Sequence, residues 1–526
     1  MGETSETIHP KRALGVVSLL SMMYVSCVGG AYGTEQIISS VGPLIGIIML
    51  YFLPFFVQFP MCLFTAEISL SLPSNAGYIT WFASGFGEFS HFITPFITLL
   101  SLISTCLDCA VYPTLFVSYL LQKATIAIPY QYLIKLFLIV LSALINFIGI
   151  RSVGIVSIVI ITMMLVPFTL FFFTAIPQID WNAVSTYLPF EHANLPMFFS
   201  VVFWNLNGVE NAANVVEEVK NPKRTIPLSL FFLVVLTSLT TATPLMAAVG
   251  IDQRWPIWKE GSFIYVSELL EAGVWGKIVS WMLFVGALMT SSGLLLNGMC
   301  FTARRFQGIA NLNVSESLKT WFGRNNAYFG TPDTCILLTT FITMIFVFTT
   351  TFSQMVGVSS ALSAFFLIGD FITFFELRRR YPNLERPFYA GPTWLLAFIC
   401  APSFLFCVLT LYFGIATDLI TVIVALSLIL GSFVLALIFA LLVKKPLEPH
   451  PYVAHYGEKD YKPILDESSS STEESEEAKE PVNDEENNTG SEIVVRDVVY
   501  SEEQNAQHQQ SETNDAEKVN EDNKDK

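Results

Sequence analysis

Phe203-Trp204-Asn205-Leu206-Asn207-Gly208-Val209-Glu210-Asn211, running on to Asn221-Pro222-Lys223-Arg224-Thr225-Ile226-Pro227, decides how the rest of the chain is read. The stretch is entered from an apolar run and left through a basic, proline-containing turn. Asn205, Asn207, Gly208 and Glu210 fall where a helix at lipid depth is expected. Polar atoms and a carboxylate are costly there, so they line a cavity, a partner helix or a substrate path. Asn-x-Asn-Gly also loosens the backbone, as in a helix that breaks at a binding site. A single Asn would be ordinary polar packing inside a bundle; four such residues within six positions point to a site.

Outward from that stretch, the chain is 526 residues long, 53% hydrophobic and 14% charged, with a mean hydropathy of +0.55. Apolar runs recur, each able to cross about 30 Å of hydrocarbon at about 1.5 Å per residue. Twelve spans can be drawn, near 14–39, 42–69, 92–121, 131–149, 152–176, 197–216, 227–250, 273–302, 333–352, 356–377, 393–415 and 418–443. They are expected to be helices, because only helices and closed barrels satisfy the backbone in lipid and no period-two alternation is present. No charged leader with a cleavage site opens the sequence, and Glu6 spoils a myristoylation pattern at Gly2.

The net charge of −16 belongs to the end of the chain: from Lys444 onward there are 23 acidic and 9 basic residues. Residues 444–526 cannot bury a core and are expected to form a disordered acidic tail, and residues 1–13 a short N-terminal segment. With the N-terminus in the cytoplasm, sixteen basic residues fall inside, among them Arg304, Arg305, Arg378 and Arg386. Four fall outside: Lys123, Arg254, Lys259 and Lys277. That asymmetry predicts an even number of spans and two cytoplasmic termini. The sequons at Asn313 and Asn487 would then lie inside and carry no glycan. Tyr461-Lys462-Pro463-Ile464 fits a sorting motif, but four-residue matches arise by chance.

Other polar residues within spans extend the site. The first span carries Gly29, Gly30 and Gly33, which weaken a helix and let a ligand approach its backbone, followed by Glu35. Asp108 and Tyr112, four apart in the third span, share a helical face. Trp204 supplies an aromatic wall and Asn297 a further amide. Glu67 reads equally as a gate contact or an interfacial charge. The eight cysteines lie in apolar surroundings, and Cys106-x-x-Cys109 reads as buried packing rather than metal or redox chemistry. No phosphate loop or metal-ligand cluster appears, so no enzyme, metal, cofactor or nucleic-acid partner is expected.

These motifs together resemble the amino acid–polyamine–organocation transporters. The match rests on Gly29-Gly30, on Trp204-x-x-x-Gly208-x-Glu210, on Glu218-Val-Lys-Asn-Pro-Lys-Arg-Thr-Ile-Pro227, on Thr302-Ala-Arg-Arg-Phe-Gln-Gly-Ile-Ala310 and on Leu377-Arg-Arg-Arg-Tyr-Pro-x-x-x-Arg-Pro-Phe388. It covers about positions 10–443. The resemblance implies an all-α polytopic membrane protein with twelve transmembrane helices. It further implies a transporter domain over 14–443, with inverted five-span repeats over about 14–176 and 197–377 and two added helices over 393–443. Spans one and six would unwind around a midplane site.

Within that family the chain is most similar to the polyamine:proton symporters of plants and protists, through Gly-Gly-x-x-Gly-x-Glu35, Asp108-x-Ala-x-Tyr-Pro113 and Phe203-Trp-Asn-Leu-Asn207. Val209-Glu210 departs from the Trp-Asp usual there and is closer to amino acid exchangers and permeases. The function implied is proton-coupled polyamine import; the plasma membrane is the expected location on base rate alone. Substrate would meet Gly29, Gly30, Gly33, Glu35, Asp108, Tyr112, Trp204, Asn205, Asn207, Gly208, Glu210 and Asn297, and Glu210 or Glu35 would couple the proton. An amino acid permease or exchanger, a transporter-like nutrient sensor and a channel remain alternatives. Residues 121–132 contain no cysteine, which counts against a disulfide-linked heavy chain.

Overall fold

The computed structural model describes residues 12–311, 316–348, 352–415, 419–443, 447 and 449–454. The N-terminal segment to residue 11, the Asn313 and Asn487 sequons, the 461–464 motif and nearly all of the acidic tail lie outside the described residues.

The described residues are helical, and their one extended pairing is a parallel bridge between Leu14 and Val219. Among the described residues, nine helices are long and apolar enough to cross a membrane: Pro43–Ser71, Gly87–Leu121, Ile128–Ile148, Ile150–Gln178, Pro222–Ile251, Gly273–Ala310, Gln354–Arg380, Thr393–Gly414 and Leu419–Leu442. Shorter helices cover Val16–Cys27 (α1), Glu35–Val41 (α2), Leu195–Leu206 (α3) and Asp333–Phe346. Their outward faces are apolar. Leu426, Leu430, Leu437 and Leu441, spaced at helical intervals along the last helix, are all exposed, as lipid-facing side chains are.

The spans drawn near 14–39 and 197–216 each come apart into two pieces. α1 ends at Cys27 and α2 begins at Glu35. Gly30 and Gly33 between them have φ of +65° and +80°. α3 ends at Leu206, Gly208 turns left-handed at φ +97°, and Val209–Glu218 continues as a 3-10 helix of ten residues. Such runs are rarely this long. The two broken elements are central: α1 packs on Ile150–Ala175, Pro222–Ile251 and Gly273–Ala310, α2 packs on α3, and the 3-10 segment lies against Phe59–Ser71 and Gly273–Ala310.

One boundary differs from the sequence reading in a way that matters. The span drawn to residue 302 continues as helix to Ala310, which takes Arg304 and Arg305 out of the following loop. Both are buried, at 3% and 1% exposure. The helix continues because each guanidinium finds partners inside the bundle.

Candidate functional site

A glycine is required at the first break. A Cβ on Gly30 would stand 2.4 Å from the Phe168 ring. Gly33 faces Trp204, whose ring would lie 3.3 Å from an added Cβ. At the second break, Gly208 approaches Cys27, at the end of α1, within 3.2 Å of where its Cβ would be. The two breaks therefore meet, and a small cavity opens beside them.

Asp108, Tyr112, Trp204, Asn207, Gly208 and Glu210 line this cavity. It is about 40 Å³ as room for water centres, enough for a few waters. Asp108 accepts a hydrogen bond from the Ser359 hydroxyl, and Trp204 is a further side-chain partner. The Tyr112 and Trp204 rings sit 6.3 Å apart with a 36° tilt and form one wall. Glu210 is 3% exposed, and its Oε2 has no hydrogen-bond partner among the described residues. Two carboxylates and two aromatic faces around one pocket suit an organic cation.

Arg305 enters the same cavity. Its Nη1 donates to Thr105 Oγ1 at 2.6 Å and its Nη2 to Asn211 Oδ1 at 2.5 Å. The guanidinium lies 4.7 Å from the Tyr78 ring centroid. It is close enough to act electrostatically on Glu210, Asp108 and Asp370. Asp370 is fully buried, and neither of its carboxylate oxygens has a partner among the described residues. The site thus contains a resident cation facing the charges that would attract a substrate cation.

Polar contacts close the bundle on both sides of the cavity. At the Leu14 end, the backbone N–H groups of Ala13 and Leu14 donate to the Glu218 carbonyl at 2.8 and 3.0 Å, and Lys220 N–H donates to Leu14 at 2.8 Å. Arg304 Nε donates to Glu218 Oε1 at 2.5 Å. Glu67 is buried and accepts from Arg378 Nε at 2.8 Å, Arg386 Nε at 3.1 Å and the Ala390 N–H at 3.0 Å. Away from that end, Glu35 Oε1 accepts from the N–H groups of Gly261 and Phe263 at 3.1 and 3.3 Å. The Tyr32 hydroxyl donates to the Leu283 carbonyl at 2.7 Å.

The structure therefore gathers only part of the expected set. Asp108, Tyr112, Trp204, Asn207, Gly208 and Glu210 converge, with Gly33 against Trp204. Glu35 does not line the cavity, because the Gly261 and Phe263 N–H groups hold it. Asn297 is turned to Ser157, whose hydroxyl accepts from its side-chain amide at 3.0 Å. Asn205 is buried beside the site without lining it, and Gly29 and Gly30 supply the break rather than the wall. Arg305, Asn211, Thr105 and Asp370 were missed. Asp370 carried the same signal as Asp108, a carboxylate inside a span. Arg305 had none, since a cation at a span end reads as loop. The eight cysteines are free and buried, and no group of three metal-ligating side chains occurs among the described residues.

Known proteins align with most of this chain. A polyamine transporter of Arabidopsis thaliana is 27% identical over 393 residues, covering 73% of this chain and 77% of its own. A probable polyamine transporter of the same plant is 28% identical over 419 residues, covering 78% and 84%. A polyamine transporter of Oryza sativa subsp. japonica is 26% identical over 405 residues, covering 76% and 73%. The amino acid permease family profile matches residues 14–434, a range that holds both helix breaks and every residue of the cavity. This chain is a multi-pass membrane transporter of the amino acid permease family.

Proposed function

We propose that this chain imports polyamines, such as putrescine and spermidine, by proton-coupled symport. On this reading it alternates access across the plasma membrane with both termini in the cytoplasm. Twelve spans over 14–443 would hold inverted repeats over 14–176 and 197–377, with the last two spans added and an acidic tail from 444.

One arrangement carries the substrate reading: Asp108 and Glu210, from different helices, face one cavity walled by Tyr112 and Trp204. A polyamine presents ammonium groups separated by methylenes, which call for spaced carboxylates and aromatic faces. The names of the plant relatives support the same substrate class. The small cavity closed on both sides is what an occluded state of an alternating-access cycle looks like. Opening would break the Glu218–Arg304 and Glu67 contacts at the Leu14 end, or the Glu35 and Tyr32 contacts on the other side.

Proton coupling requires a carboxylate whose protonation favours one facing state over the other. Glu210 is the first candidate, because its Oε2 is buried without a partner beside the substrate space and beside Arg305. Glu35 is the second, bonded at the closure on the other side.

An amino acid permease or exchanger is the competing reading, favoured by the break at 28–34, whose peptide groups lie outside regular helix and suit a substrate carboxylate. Labelled spermidine uptake at about pH 5.5 and about pH 7.5, either side of the histidine range, with unlabelled putrescine, arginine and leucine as competitors, separates the two. Acid-stimulated uptake blocked by putrescine and not by leucine is expected. Glu210→Gln should abolish the pH dependence of accumulation while leaving exchange. Leucine or arginine uptake without polyamine uptake would overturn the substrate, and unchanged pH dependence in Glu210→Gln would remove Glu210 from coupling. A sensor reading predicts that deleting the tail spares uptake and abolishes a cellular response.

A further inference from the structure

A second, larger cavity lies away from the transport site. It is about 530 Å³, within the range of small-molecule pockets. Pro43–Ser71 forms one wall, through Phe59 and Leu63, and Pro222–Ile251 the other, through Leu230 and Phe231. Phe231 is 50% exposed, so the groove opens toward the outer, lipid-facing surface of the bundle. The Cys62 thiol and the Leu230 carbonyl, 3.6 Å apart, bridge the two helices beside it.

The polarity along the groove is ordered. Lys223 and Arg224, both exposed, occupy the first turn of Pro222–Ile251 and line one end. Leu230 and Phe231 lie seven residues further on, about 10 Å along the helix axis. Two cations stand at the helix terminus where a membrane interface falls, with aliphatic and aromatic walls below them. The positive end of the helix adds to the same field. A phospholipid, with an anionic head and an acyl chain, matches that gradient on a surface that faces lipid. Basic pockets between membrane helices hold lipids in this manner.

We propose that this groove binds one anionic phospholipid from the surrounding leaflet. Lys223 and Arg224 take the head group, and Phe59, Leu63, Leu230 and Phe231 take an acyl chain. The site is joined to the closure at the Leu14 end. Phe388 lines the groove and lies two residues from Ala390, whose N–H is held by Glu67. Ala66, also in the lining, is the neighbour of Glu67. A lipid seated there packs against the loop that Glu67, Arg378 and Arg386 pin down, so it should affect how readily that end opens.

The full-length protein, exchanged into nanodiscs of phosphatidylcholine with or without phosphatidylserine, provides the test. Native mass spectrometry reads the lipids retained. Retention of one phosphatidylserine in preference to phosphatidylcholine is expected, weakened about 30-fold in Lys223→Ala/Arg224→Ala, from roughly 1 kcal/mol per surface cation. Leu63→Trp, which fills the groove without changing charge, should displace the lipid with the cations intact. Equal retention of phosphatidylserine by wild type and both variants would overturn the proposal. So would wild type that retains phosphatidylcholine as well as phosphatidylserine. The readout is bound lipid, so it is independent of which substrate is transported.

Discussion

Glu218 and Arg304 form a pair whose removal has a calculable cost. Their side chains are 10% and 3% exposed. Arg304 binds the carboxylate in a two-point contact, Nε to Oε1 at 2.5 Å and Nη2 to Oε2 at 3.3 Å. Its remaining Nη1 meets the carbonyl and thiol of Cys300, at 3.4 and 3.0 Å. Glu218→Gln keeps the shape and removes the charge, leaving a guanidinium buried without its counter-ion. Breaking a buried pair from one side costs about 3–5 kcal/mol, whereas replacing both partners by groups of similar volume is often neutral. Glu218→Gln should therefore lose about 3–5 kcal/mol, and Glu218→Gln/Arg304→Met should recover most of it. Unfolding in mixed micelles, followed by tryptophan fluorescence, gives both values. Losing the Arg304 pair frees the side chain of residue 218, whose unchanged backbone carbonyl anchors Ala13 and Leu14, so the single variant should loosen the Leu14 end and speed maleimide labelling of Cys300, against which Arg304 lies. A single-variant loss below about 1 kcal/mol, the scale of a solvated surface pair, would refute this account. So would a double variant less stable than the single.

Gly30→Ala should cost about 2–5 kcal/mol, from a left-handed alanine and from overpacking against Phe168. Phe168→Leu should partly relieve it, and Gly431→Ala, with open space around the position, serves as the neutral control in the same melting experiment. His450 packs between Ser84 and Pro73: its backbone N–H donates to Ser84 Oγ at 3.0 Å, and its Nε2 lies 3.2 Å from the Pro73 carbonyl. Its Nδ1 accepts from the Tyr452 N–H at 3.3 Å, which requires the neutral ring. Burial pushes its pKa down to about 4, against about 6.5 when free. Docking of Leu447 and 449–454 is thus complete above about pH 6.5 and is lost as the pH falls toward about 4, with about 2 kcal/mol gone by about pH 5. Hydrogen exchange at the His450 and Leu447 amides should lose about 30-fold in protection between about pH 7 and pH 5, and His450→Gln should flatten that dependence. Protection in wild type that does not change over this range would exclude the histidine as its cause.

What was legible in the sequence was depth, and what was not legible was partnership. Depth is a one-dimensional property. Apolar runs placed most helix ends to within a few residues, and glycine and asparagine inside two runs located the breaks, because such residues weaken a helix wherever they stand. Asp108 and Tyr112 were legible as a pair because four residues bring both to one helical face. Arg305 was not, because its meaning depends on Thr105, Asn211 and Tyr78, which lie on other elements 200, 94 and 227 positions away. Without them, two arginines after a span count as cytoplasmic loop charge. Glu35 was read as a substrate carboxylate because its neighbours in the chain are the glycines of the break, yet its partners are backbone N–H groups of Gly261 and Phe263, which leave no mark in a sequence. Charges at membrane depth exist only where another element compensates them, so a buried charge signals that a partner exists without saying which one. Asp370 sharpens the point: neither carboxylate oxygen has a hydrogen-bond partner among the described residues, and a cation in electrostatic range, Arg305, stands 65 positions away in the chain.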